Sequence, residues 1–302
     1  LRLMMAMTSN RLLLTLSGLL ITSLGFSQAN LLNAKTPDEI GVKTEEQIKY
    51  DNDDPLEYGY VDDRDVLWSK TTWEIVDLDE RVNFPLYYPI DTNNIGKDRR
   101  SLYDVLLSNI KNGNIETIYT DSYFTEKRTL KDISAALSKV DTTDYGIEQY
   151  NAGEEIDAQY ITRRDINAGD ISEYHVKGLW YFDKRQGELK YRLLGIAPCA
   201  PDVNFIDEED TQVVELFWVW FPGVREVLHN AKAFNRQNSS QPITFDHLLN
   251  SRRFNGVIYK EDNEYGDRTV EDYINNNALM QLLESDRIKE QIRNFEQDMW
   301  NY

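Results

Sequence analysis

The stretch Tyr174-His175-Val176-Lys177-Gly178-Leu179-Trp180-Tyr181-Phe182-Asp183-Lys184-Arg185-Gln186-Gly187-Glu188-Leu189-Lys190-Tyr191-Arg192-Leu193-Leu194-Gly195-Ile196 decides the fold. Tyr174, Val176, Trp180 and Phe182 share one parity with Gly178 between them, and Leu189, Tyr191 and Leu193 alternate with Lys190 and Arg192. Period-two alternation of this kind marks half-buried strands. Asp183 to Gly187 supply turn residues between the two runs, so the stretch reads as a β-hairpin.

The neighbouring segments extend the pattern. Val213-Val214-Glu215-Leu216-Phe217-Trp218-Val219-Trp220-Phe221 is a nearly continuous apolar run bounded by Pro222-Gly223, which predicts a strand central to the sheet. Residues 66–76 mix aromatic and β-branched side chains without a clean period, and Phe84-Pro85-Leu86-Tyr87-Tyr88-Pro89 is expected to be extended by its prolines. Ser101 to Asp104 match a capping box that opens a helix through Ile110, stopped by Asn112-Gly113. Ile115 to Tyr119 read as a strand, and Leu130, Ile133, Leu137 and Val140 predict a helix over 129–140. Residues 141–170 read as a polar loop, with helical pieces near 224–234 and 244–250 and a strand over 256–259. Thr269 and Asp272 suit the cap of a C-terminal amphipathic helix along which Ile288, Ile292, Phe295 and Met299 recur. The expectation is an α+β fold: a mixed sheet with a central hairpin, flanking helices and that C-terminal helix.

Composition narrows the function. The chain of 302 residues carries 52 acidic against 33 basic side chains, a net charge of −19. Such a charge repels phosphate backbones, which excludes general nucleic-acid binding, and disfavours direct adsorption to anionic lipid. A single cysteine rules out an intramolecular disulfide framework.

Arg2 and Arg11 are the only charges before Lys35, and an uncharged apolar stretch runs from Leu12 to Phe26. At about 15 residues it is shorter than the ~20 that span a bilayer. Gly25 and Ser27 place small residues for cleavage before Gln28, with Ser27 and Ala29 as the alternative before Asn30, so residues 1–27 read as a secretory signal peptide. Residues 28–65 form an acidic arm whose 11 acidic residues face only Lys35, Lys43, Lys49 and Arg64. Its apolar residues Leu31, Leu32, Ile40, Val42, Ile48, Leu56, Tyr58 and Tyr60 are dispersed without period. They are too few to fold alone and are expected to bury against a partner. Residues 66–302 are expected to form a single α+β domain.

No catalytic motif appears. His175, His229 and His247 lack metal-ligand spacing, and Cys199 lies in Ala197-Pro198-Cys199-Ala200-Pro201 without a second cysteine, so all four read as structural. Gly96-Lys97 is followed by Asp98, which excludes a P-loop, and the acidic loop 261–267 does not fit an EF-hand and reads as a solvated turn. Asp207-Glu208-Glu209-Asp210 reads as a solvated charge run. No cofactor, metal or catalytic residue is expected.

Asp65-Val66-Leu67-Trp68-Ser69-Lys70, then Arg81-Val82-Asn83-Phe84-Pro85-Leu86-Tyr87-Tyr88-Pro89 and Ser101-Leu102-Tyr103-Asp104-Val105-Leu106, resemble the GldN/PorN family. So do Thr244-Phe245-Asp246-His247-Leu248-Leu249-Asn250-Ser251-Arg252-Arg253-Phe254 and the run from Asn263 to Asp272, in the same order over roughly residues 50–300. The resemblance implies a non-enzymatic structural subunit of the type IX secretion and gliding motility machinery. It further implies a periplasmic ring of copies of this chain beneath the outer membrane, built with a lipoprotein partner of the GldK/PorK type. Contact with a periplasmic shaft protein of the GldM/PorM type and indirect membrane association follow from it as well. The alternative is an exported carbohydrate-binding or glycan-hydrolysing protein that uses its aromatics and paired carboxylates.

Overall fold

The computed structural model describes residues 53–299 apart from 92–98, 154, 156, 206–211 and 237–242, together with Thr36, Glu45, Lys49 and Tyr50. The expected signal peptide, most of the acidic arm and the 207–210 charge run lie outside the described residues. Pro55–Tyr302 form one compact unit. Residues 55–65 pack with it: Asp62 caps a short 3-10 turn at Asp63–Asp65, and the Asp65 carbonyl accepts a hydrogen bond from Lys184 N–H.

In chain order the described strands are β1 Val66–Asp77, β2 Ile118–Tyr119, β3 Lys127–Arg128, β4 Ser138–Thr142, β5 Ile161–Asp165, β6 Glu173–Asp183, β7 Glu188–Pro201, β8 Val213–Glu215, β9 Trp218–Trp220, β10 Lys232–Ala233, β11 Ile243–Thr244 and β12 Val257–Glu261. Eight of them form one sheet in the order β12-β1-β6-β7-β9-β2-β3, with β8 attached to β7. Its pairings are antiparallel, and the hairpin β6–β7 lies at its centre. The fold is α+β, as the residue pattern implies.

Period two divides the sheet into two unlike faces. Val76, Tyr174, Val176, Leu193, Ile196 and Ala200 enter the main core, against Leu102, Leu106 and Ile110 of the helix Leu102–Lys111. Phe221, Leu228 and Phe245 from the helices Phe221–Asn230 and Phe245–Asn250 complete that packing. Further along the same face, Trp68, Trp180, Leu189 and Ile258 receive Ile288 and Ile292 of the C-terminal helix Ala278–Met299, and Phe295 stacks on Trp68 at 4.7 Å between ring centroids. Gly178 is required here, because a Cβ would collide with the Tyr191 ring. The opposite face carries Glu173, His175 and Lys177, with a small cluster of Trp73, Ala197 and Trp218 under Tyr119, Phe124 and Tyr259.

Some segments differ from the expectation, each for a local reason. Phe84–Tyr87 form a short helix rather than an extended run, because Pro85 sits in the first turn, where a missing N–H breaks no intrahelical bond. The apolar run 213–221 is not one strand. Β8 pairs with the end of β7, Leu216 and Phe217 both plunge into the core, β9 pairs with Gly195 and Ile196, and Phe221-Pro222 open a helix. Only Ile118–Tyr119 of the strand expected at 115–119 enters the ladder. The helix expected over 129–140 ends at Leu137, and Val140 points to solvent from β4. Residues 141–170 are more than a loop: they hold the helix Asp144–Asn151 and strand β5, which pairs with β4 in a small separate ladder. Thr269 and Asp272 cap a separate turn, Val270–Tyr273, ahead of the long helix.

Candidate functional site

The face that carries Glu173, His175 and Lys177 owes its polarity to register. Glu173 lies opposite Cys199 in the β6–β7 pairing, and Cys199 lies opposite Glu215 in the β7–β8 pairing. Three adjacent strands therefore line up Glu173, Cys199 and Glu215, with His175 two residues along β6. Directly opposed residues share a face and their side chains meet.

His175 Nδ1 is 2.7 Å from Glu215 Oε1, and its Nε2 is 3.0 Å from Glu173 Oε1. The other Glu215 oxygen accepts from the Trp218 indole N–H at 2.6 Å. The Tyr259 ring covers the imidazole, with centroids 5.0 Å apart. Burial alone would lower the His175 pKa, yet hydrogen bonds to Cys199, Glu173 and Glu215 hold it well above the usual imidazole value. Burial works to raise the Glu215 pKa, but its bonds from His175 and Trp218 leave it lowered. Burial pushes the Cys199 thiol up, which is the wrong direction for a nucleophile. Its sulfur is fully buried and lies 3.7 Å from the Ala197 carbonyl.

Beside this cluster Lys177 and Lys260 flank Trp73, with ammonium groups 4.8 and 4.6 Å from its ring, and both reach Tyr123. Burial lowers the Lys177 pKa, and Lys260 adds to the effect. Among the described residues, one grouping of three ligand-type side chains occurs, Glu173, His175 and Cys199, and it contains neither His229 nor His247. Those two sit on the helices Phe221–Asn230 and Phe245–Asn250. In the acidic loop, Asn263 Oδ1 accepts from the Tyr265 and Asp267 amides and Asp267 Oδ1 from the Asn263 amide, a self-satisfied turn.

The arm residues separate into three groups. Leu31, Leu32, Ile40, Val42 and Ile48 lie outside the described residues. Leu56 and Tyr60 are exposed. Tyr58 is held by its own chain: its ring lies 4.2 Å from the Arg225 guanidinium and 4.5 Å from that of Arg192, and its hydroxyl donates to Asn250 Oδ1 at 2.8 Å. Arg225 is itself buried in a bidentate pair with Asp246 at 2.8 and 3.1 Å.

Apolar side chains reach solvent in contiguous places. Leu279, Met280, Leu282 and Leu283 project from the first turns of the C-terminal helix, and Val140, Tyr145, Ile147 and Tyr150 from the β4–β5 lobe. Val82, Phe84, Tyr88 and Phe234 line a groove rimmed by Arg81, Arg99, Arg236 and Arg253. Among the described residues no helix is long and apolar enough to cross a membrane. Trp73 and Trp218 are fully buried, so the tryptophan wealth serves packing at those positions.

These features define an α+β domain on an antiparallel sheet that leaves apolar side chains exposed on its outer surfaces. The chain belongs to the GldN family: the model described as "Gliding motility associated protein GldN" matches residues 61–301. It is thus a component associated with gliding motility and type IX secretion. Comparison with curated proteins returns no match.

Proposed function

We propose that this protein is a non-enzymatic subunit of a periplasmic ring in the type IX secretion and gliding motility machinery. It is exported by its N-terminal signal peptide and is held at the outer membrane through a lipoprotein partner of the GldK/PorK type. Further contacts run to neighbouring copies and to a shaft protein of the GldM/PorM type. The family match across 61–301 carries the reading. The exposed apolar turns at Leu279–Leu283 and the arginine-rimmed groove support it, since contiguous exposed apolar area on a folded domain favours protein contacts. Leu31, Leu32, Ile40, Val42 and Ile48 of the arm supply further apolar contacts to a neighbouring copy or the lipoprotein.

Deleting the gene tests the role. Export of secreted cargo should stop and the lipoprotein partner should fail to assemble. Normal cargo export with normal lipoprotein assembly would refute it.

A further inference from the structure

The cluster on the sheet face opposite the main core has a chemistry that ring assembly does not use. Glu173, His175 and Cys199 each offer a ligand atom, and these atoms lie within 4.8 Å of one another. Tetrahedral zinc with bonds of roughly 2.0–2.3 Å spaces its ligand atoms about 3.3–3.8 Å apart, so the three need close by no more than about an ångström to share one ion. A thiolate with an imidazole and a carboxylate suits a zinc-class ion and not calcium or magnesium, which take oxygen donors.

The surroundings fit a metal ligand as well. A histidine bound to metal through one nitrogen usually donates its other N–H to a carboxylate, which fixes the tautomer. Here Nδ1 meets Glu215 Oε1 at 2.7 Å, and Glu215 is anchored in turn by the Trp218 indole. In the neutral tautomer that donates from Nδ1 to Glu215, the Nε2 lone pair faces Glu173 Oε1 at 3.0 Å. Two acceptors at that distance need a cation between them, either a proton or a metal ion. A proton bridge requires only the histidine and its carboxylates. The only cysteine of the chain nevertheless points its buried sulfur at the same place, where its one other contact is a long approach to a carbonyl.

We propose that Glu173, His175 and Cys199 bind one divalent zinc-class ion, with Glu215 as the positioning residue for His175. Glu173 and His175 come from β6 and Cys199 from β7, so the ion pins the hairpin at the end where β8 attaches. Binding converts the thiol to a thiolate and displaces the proton held between His175 Nε2 and Glu173, and both protons pass to solvent. The remaining coordination position is filled by water that enters past the partly exposed Glu173 and Glu215 side chains.

Cobalt(II) added to chelator-treated full-length protein provides the test, because the single cysteine makes thiolate-to-cobalt absorption an unambiguous reporter. One cobalt per chain with that near-ultraviolet band, displaced by zinc and lost in Cys199→Ser of unchanged circular dichroism, is the expected result. Glu215→Gln should keep the band while weakening affinity roughly 10–100-fold. Absence of the band in the folded wild-type protein, with nitrogen NMR showing both His175 ring protons in place despite added zinc, would overturn the proposal. The cluster would then be an imidazolium clamped between carboxylates.

Discussion

Replacing Arg252 by alanine should strip the sheet of its most deeply placed charge compensation. Glu74 is fully buried in the middle of β1, and both its oxygens accept from Arg252, at 2.9 and 2.8 Å. The guanidinium also lies 4.2 Å from the Tyr191 ring and 4.9 Å from Trp180, so it joins the main core to the packing of the C-terminal helix. Removing one partner of a buried pair leaves an uncompensated charge and costs about 3–5 kcal/mol. For a domain of this size each kcal/mol moves the melting temperature by roughly 2–4 °C, so Arg252→Ala should melt about 6–20 °C below wild type. The double variant Glu74→Leu/Arg252→Met removes both charges and should recover most of that loss, because apolar replacement of a buried pair is often neutral. Calorimetry together with urea denaturation measures both. An alanine variant within about 1 kcal/mol of wild type, or a double variant as unstable as the single, would refute the argument, since it rests on the charge left behind.

Other consequences are smaller or lie at the surface. Ser101 Oγ accepts from the Asp104 amide at the start of the helix Leu102–Lys111, and Ser101→Ala should cost about 1 kcal/mol in urea denaturation. The Glu284 carboxyl is held below its ordinary pKa mainly by Arg287, so its stabilisation is present above the unfolded pKa and fades as pH falls through the folded one; Glu284→Gln should flatten the acid side of a plot of melting temperature against pH. Truncation through residue 54 should leave a cooperatively melting domain that assembles poorly and with marked salt sensitivity, whereas truncation through residue 60 should also lower stability, because Tyr58 is anchored on Arg225 and Asn250. Full-sized complexes from the shorter truncation at normal yield would reduce the arm to a tether.

The hairpin was legible because one face of the first half of β6 is buried, which imposes period two on Tyr174, Val176 and Gly178. The helix at Leu102 was legible because its cap is local, Ser101 to Asp104. The run 213–221 misleads because Leu216 to Val219 are all buried, and such a run is continuously apolar whether or not the chain stays extended. The β4–β5 ladder was hidden for the opposite reason: β5 is exposed on both faces, so Ile161–Asp165 shows no alternation. The Glu173–His175–Cys199–Glu215 cluster could not be read from spacing along the chain. Only the register of two strand pairings sets Cys199 beside Glu173 and Glu215, and Cys199 lies past Ile196, where the predicted hairpin stops. In the block 244–254 the composition gave no role to Asp246, Asn250 and Arg252, yet each binds a side chain distant in sequence: Arg225, Tyr58 and Glu74.

The central claim is that this chain works as one of many subunits in an envelope assembly. Mass measurement on the protein purified under mild detergent from native envelopes tests it most directly. The account predicts a large assembly with repeated copies of this chain in fixed ratio to a lipoprotein. Recovery of the protein as a free monomer, with the lipoprotein absent or in no constant ratio, would contradict it.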